Sequence, residues 1–216
     1  MKLVLFGAGG QVAQRIAREA LDRGHEVIGV ARSAASVRSD NEHLIIVEGD
    51  ASDASSVAKI SRGADVIINA LSPRPSPSGR PATSLATAAR ALIEGATRAR
   101  VPRLIVVGGA GSLEVAPGVR LVDTPGFPEE YKSESLNQAD ALAVYRSAGG
   151  NLDWTYISPA AAIGAGRSTG KYRTADDALL VDENGKSFIS YEDYAKAVLD
   201  EIEHSTHPRA RMAVAY

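Results

Sequence analysis

A short apolar run, Leu3 to Phe6, breaks directly into Gly7-Ala8-Gly9-Gly10, and that turn opens a stretch with helical spacing. From Gln11 to Arg23 the apolar residues Val12, Ile16, Ala20 and Leu21 fall on one helical face, and Gly24 follows as a stop. A strand that runs through a glycine turn into a helix is half of a βαβ unit. The next apolar run, Val27 to Val30, supplies the second strand of that unit.

The same alternation continues along the chain. Leu44 to Val47, Val66 to Asn69, Leu104 to Val107 and Thr155 to Ile157 read as further strands. Between them, Asp53 caps a helix carrying Val57 and Ile60, residues 83–98 form an alanine-rich helix, and a helix runs from near Pro128 to Ser147. A last helix covers Tyr191 to Glu203, and Met212 to Tyr216 reads as an edge strand. The strands are rich in Val, Ile and Leu without polar alternation, as expected of strands covered on both faces. The expectation is an α/β fold: a Rossmann-like, doubly wound parallel sheet with right-handed crossovers and a small C-terminal substrate-side region. With 216 residues the chain reads as a single domain. About 1–150 would form the cofactor-binding core and about 151–216 a substrate-side extension. Residues 72–81 hold four prolines and read as a loop, either a lid or a surface excursion.

Composition removes several function classes. There is no cysteine, which excludes disulfides, thiolate metal sites and cysteine nucleophiles. The formal charge is -2, which argues against nucleic-acid binding as the main task. The longest uncharged stretch, Trp154 to Gly166, is too short and too broken by proline and glycine to span a membrane. A cytoplasmic protein, monomeric or homodimeric, acting on a small molecule is the expectation.

The glycine turn carries the strongest chemical signal. Gly7 permits the tight turn, and Gly9 and Gly10 let the backbone approach a pyrophosphate. Gln11 and Val12 begin the helix, whose unpaired N–H groups and partial positive charge favour an anion. Ala13 stands where a third glycine is usual. A site for NAD normally has an acidic residue about 20 positions on, at the end of the second strand. No acid lies between Glu26 and Asp40; Arg32 and Ser33 are there instead. A guanidinium suits a 2′-phosphate, so NADPH is expected over NADH. Asp50 and Ala51 follow the third strand and face the adenine in this reading. Asn69, Ala70 and Leu71 end the fourth strand and lie over the cofactor. Gly108 to Gly111 end the fifth and leave room for the nicotinamide.

Together these residues resemble the atypical short-chain dehydrogenase/reductases, specifically the NAD(P)H-binding group carrying the NADH-flavin reductase label, which is similar to biliverdin reductase B and to NmrA-like proteins. The resemblance runs nearly end to end. It takes in the glycine turn, Glu48-Gly49-Asp50, Val107 to Leu113, Phe127 to Lys132, Trp154 to Pro159, Gly170 to Arg173, Ile189 to Ala195 and Ala215-Tyr216. It implies a Rossmann-like fold and NAD(P)H as cofactor.

The wider superfamily reduces carbonyls with a Tyr-x-x-x-Lys pair, in which the lysine makes the phenol a proton donor. None of the seven tyrosines has lysine four positions on. A ketone becomes an alkoxide and needs that acid. A flavin or quinone-like acceptor spreads the arriving charge, so hydride transfer to it mainly needs two rings held together. Ser112, at the superfamily's serine position, and Lys132, where some NmrA-like reductases place a functional lysine, are the catalytic candidates. Ser112, Tyr131 and Pro159 are the acceptor-side candidates. No metal is expected: His204 and His207 lack an acidic partner at ligand spacing. Three functions stay open. They are reduction of free flavin or a quinone-like acceptor by NADPH, a non-catalytic NADP(H)-sensing protein of NmrA type, and an epimerase or dehydratase. All seven tyrosines and the tryptophan lie after residue 130. Phe127, Tyr131, Trp154, Tyr156 and Tyr172 are therefore candidates to line an acceptor pocket, with Trp154 and Tyr156 the best candidates for plain core.

Overall fold

The computed structural model describes residues 1–37, 43–72 and 84–216. Most of the proline-rich segment therefore lies outside the described residues, as does Thr83 at the expected start of its helix.

In chain order the elements are β1 (Lys2–Phe6), α1 (Gln11–Asp22), β2 (Glu26–Ala31), β3 (Ile45–Glu48), α2 (Ala54–Ile60), β4 (Val66–Asn69) and α3 (Leu85–Ala99). Then come β5 (Arg103–Val107), β6 (Glu114–Ala116), β7 (Val119–Arg120), α4 (Glu129–Ala148), β8 (Asp153–Ser158), β9 (Ala162–Gly164) and β10 (Arg173–Ala175). β11 (Phe188–Ser190), α5 (Tyr191–His204) and β12 (Ala210–Ala215) complete the chain. Helix starts are capped where the sequence offers a short polar side chain. Asp53 accepts from the Ser55 N–H at 2.9 Å, and Ser190 from the Asp193 N–H at 3.1 Å.

Eight strands form one sheet in the order β10-β12-β8-β5-β4-β1-β2-β3. Every pairing is parallel except β10 with β12. Each central strand is apolar throughout, yet its side chains divide between two cores. Leu3 and Leu5 face α1 and α5, whereas Val4 and Phe6 face α2, α3 and α4. That is the doubly wound arrangement. Residues 151–216 supply β8, β10 and β12 to this same sheet.

One strand expectation is corrected. The run at 212–216 is not an edge: β12 pairs with β8 on one side and is covered on the other by the three-residue antiparallel β10. Its side chains from Arg211 to Ala215 are buried, which an edge strand would not achieve. Two small sheets, β6 with β7 and β9 with β11, were not visible as apolar runs.

The strand order reverses direction between β1 and β4. In open parallel sheets the crevice outside the carboxyl ends at such a reversal is where ligands bind. The glycine turn follows β1 and Ala70-Leu71 follow β4, so both stand at this crevice.

Candidate functional site

The glycine turn is built into the crevice by backbone contacts. The N–H groups of Gly7 and Ala8 both donate to the Val30 carbonyl, at 3.0 and 3.2 Å. Gly7 has φ +84°, and a Cβ there would stand 2.5 Å from the Ala70 carbonyl oxygen. Its lack of a side chain is demanded by the fold. Gly9 and Gly10 differ. Among the described residues, a Cβ on Gly9 would meet nothing nearer than Val37 Cγ2 at 3.7 Å, and one on Gly10 nothing nearer than the Gly7 carbonyl at 3.5 Å. Both are exposed, as is Gln11, while Val12 is half-buried against the α1–α5 core. Packing among the described residues does not require glycine at 9 and 10, and α1 has no acidic residue in its first turn. An open, side-chain-free surface at a helix N-terminus is what a pyrophosphate needs, so the residues present fit a dinucleotide.

Around this turn the other expected cofactor residues gather at the carboxyl ends of β2, β3 and β4. Arg32 and Ser33 are exposed just beyond β2. Asp50 accepts from the Ser52 hydroxyl at 2.5 Å and its N–H at 2.8 Å. These bonds, with the Arg32 charge nearby, hold its carboxyl below the usual carboxylate range. Ala51 is buried beneath it. Asn69 is buried, and its two polar atoms are both used. Oδ1 accepts from the Leu71 N–H at 3.1 Å, and Nδ2 donates to the Tyr145 hydroxyl at 3.1 Å. Asn69 therefore fixes the turn of Ala70 and Leu71 against Gly7. Tyr145, which anchors it from α4, was missed in the sequence because nothing local links positions 69 and 145.

The loop after β5 is packed tightly against α4 and β8. A Cβ on Gly108 would overlap the Tyr156 ring, one on Gly109 would sit 3.1 Å from Gln138 Cγ, and one on Gly111 2.5 Å from Ser135 Cβ. These glycines make room for neighbouring side chains of the fold, so the fold itself accounts for the absence of a Cβ at each. The Tyr156 hydroxyl stands 3.2 Å from the Gly109 N–H, which donates to it, and donates to the Gln138 carbonyl at 3.0 Å.

Ser112 is also turned inward. Its hydroxyl and its carbonyl both accept from Arg211 Nη1, at 2.9 and 3.0 Å. Arg211 is buried and pairs through Nη2 with Asp177, which Arg146 also contacts at 2.6 Å. The serine is thus tied to an internal arginine 99 positions away. Lys132 is half-exposed, 3.6 Å from Glu129, on a groove of about 470 Å³ between the starts of α3 and α4. Tyr131 beside it is exposed. Pro159 is buried at the end of β8. Ser158 before it is fully buried, and among the described residues its hydroxyl has no hydrogen-bond partner.

Trp154 and Tyr156 are core residues whose rings pack tilted against Tyr145, at centroid distances of 6.1 and 6.3 Å from it. Burial raises the phenol pKa of Tyr145, Tyr156 and Tyr194. Burial and the Asp200 hydrogen bond raise that of Tyr172. A proton relay needs the opposite shift. Of the two histidines near the end of α5, His204 bonds the Asp200 carbonyl at 2.8 Å and His207 the Glu201 carboxylate at 2.9 Å.

Residues 7–205 match the family described as NAD(P)H-binding. Among solved structures, a "putative exported protein" from Burkholderia pseudomallei is 42% identical, with 100% of both chains covered and a TM-score of 0.88. A "putative epimerase" from Bacteroides thetaiotaomicron is 37% identical over 100% of this chain and 96% of its own, with a TM-score of 0.88. A "putative NADH-flavin reductase" from Streptococcus pneumoniae TIGR4 is 33% identical over 100% of this chain and 99% of its own, with a TM-score of 0.85.

Proposed function

The chain belongs to the NAD(P)H-binding family, and from that premise we propose that it is an NADPH-dependent reductase of free flavin or a quinone-like acceptor. One observation carries the reading: an open glycine cradle at the sheet reversal, in a chain whose tyrosines all lack a relay lysine. The name of the Streptococcus pneumoniae relative points the same way.

In this reading Gly9, Gly10 and the first turn of α1 hold the pyrophosphate, and Arg32 with Ser33 takes the 2′-phosphate. Asp50 faces the adenine, and Ala70 and Leu71, fixed by Asn69, form the floor. Ser158 and Pro159, at the end of β8, border the nicotinamide side. NADPH bound there supplies the hydride. The residues of the chain hold the two rings together. A flavin delocalises the charge it receives and takes its proton from solvent, so no phenol acid is required. Lys132 and Tyr131 border the acceptor side. On this reading the protein works in the cytoplasm, where NADPH is available. Among the described residues, no helix is long and apolar enough to cross a membrane.

Steady-state oxidation of NADPH with riboflavin, FMN, FAD and quinones tests the proposal. Turnover above the enzyme-free blank with at least one of them, and none with simple ketones, is expected. Tight NADPH binding without turnover of any acceptor would instead make the protein an NADP(H) sensor.

A further inference from the structure

The end of β2 carries no acid of its own, but the neighbouring strand supplies one. Glu48 is the last residue of β3 and lies in register with Ala31, the last residue of β2. Its Oε1 accepts from the Ala34 N–H at 3.1 Å. The carboxylate therefore reaches across the strand end to the turn that begins with Arg32 and Ser33. It is exposed, and among the described residues its Oε2 makes no hydrogen bond. Asp50 lies two residues further on, near enough to Arg32 for their charges to interact. Among the described residues, the turn where a 2′-phosphate or a 2′-hydroxyl of the adenosine ribose would be read thus holds one cation, Arg32, and the carboxylates of Glu48 and Asp50.

The chemistry of the two groups is opposed. A 2′-phosphate brings negative charge that Arg32 attracts and Glu48 repels. A 2′-hydroxyl brings a hydrogen-bond donor that a carboxylate oxygen accepts. Glu48 also occupies the Ala34 N–H, a backbone donor that would otherwise be available to an anion at this turn. Asp50 differs because one of its oxygens already takes two hydrogen bonds from Ser52.

We infer that Glu48, reaching over from β3, is a specificity-determining residue that counterbalances Arg32 and keeps NADH usable beside NADPH. The inference rests on the reading that a dinucleotide binds at the glycine turn. It predicts a narrow preference between the two cofactors, set by two side chains from adjacent strands.

The test compares dissociation constants for NADPH and NADH, measured by nicotinamide fluorescence, in the full-length protein and its variants. Glu48→Gln keeps an oxygen for the Ala34 N–H and removes only the charge. The NADPH-over-NADH preference should rise by roughly two- to fivefold, the scale of one charge interaction near a surface. Glu48→Ala should raise it as well, and the gain in both variants should shrink at high salt. In the Arg32→Ala background, Glu48→Gln should still relieve the repulsion of the 2′-phosphate. An unchanged preference in Glu48→Gln, with both cofactors still bound, overturns this inference and leaves the proposed function standing. A change in Glu48→Ala alone would assign Glu48 to holding the turn, and overturns it too. Failure of the unmodified protein to bind either cofactor removes the proposed function and this inference together.

Discussion

Gly7 faces the carbonyl of Ala70 so closely that a Cβ would stand 2.5 Å from its oxygen. This contact locks the glycine turn after β1 to the turn after β4, at the point where the strand order reverses. Gly7→Ala must move that backbone or abandon φ +84°, and should cost about 1–3 kcal/mol. Gly9→Ala meets only ordinary contact and should change stability by less than about 0.5 kcal/mol. It should nevertheless weaken NADPH binding by roughly tenfold, since the methyl group stands where the pyrophosphate must approach. Urea unfolding of both variants beside NADPH titration separates the two roles.

Arg32→Ala should weaken NADPH by roughly ten- to hundredfold, the scale of a charge-assisted hydrogen bond, and NADH far less. Paired titrations with the two cofactors check this. Equal losses would remove the 2′-phosphate from Arg32.

Much of the frame was legible because buried parallel strands leave uninterrupted Val, Ile and Leu runs. β1, β2, β4, β5 and β8 could all be found that way. Short strands could not: β10 is Arg173-Thr174-Ala175, with no apolar run to mark it, and without it β12 looks like an edge. In the site, the glycine turn was readable because its chemistry is local. The glycines from 108 to 111 were not, because an absent side chain serves a ligand and a neighbouring ring equally well. Only the fold brings Tyr156 against Gly108. Ser112 and Arg211 pose the same difficulty, as do Glu48 and Ala34, since each pair is joined by strand order and not by spacing.

Tyr156 should act as a structural residue. Its hydroxyl receives the Gly109 N–H and donates to Gln138, so Tyr156→Phe leaves buried polar groups unpaired. A loss of about 1–3 kcal/mol in stability is expected, with NADPH affinity largely kept. Thermal or urea unfolding together with cofactor titration checks it; an intact fold with lost turnover would give Tyr156 a chemical role.

Acid should loosen the end of the molecule where α5 meets β12. Burial raises the pKa of Glu201, but hydrogen bonds from the Thr206 hydroxyl, the His207 ring and the His207 N–H, with the Arg103 charge, outweigh it and hold the carboxyl at about 2. The folded pKa is therefore below the ordinary 4.5. The stability this confers is fully present above the unfolded value and is lost as pH falls from there through the folded one. Glu201→Gln should be less stable at neutral pH and should lose less stability between those two values. Unfolding curves across that window check the sign.

The account turns on hydride transfer without a tyrosine acid, and anaerobic single-turnover mixing of the protein with NADPH and riboflavin tests that most directly. The account predicts that flavin absorbance falls at the rate at which NADPH is consumed, and that NADPH deuterated at the transferring carbon slows both. NADPH bound at the glycine turn with neither absorbance changing, when the mixing is repeated with FMN, FAD and a quinone as well, would contradict it.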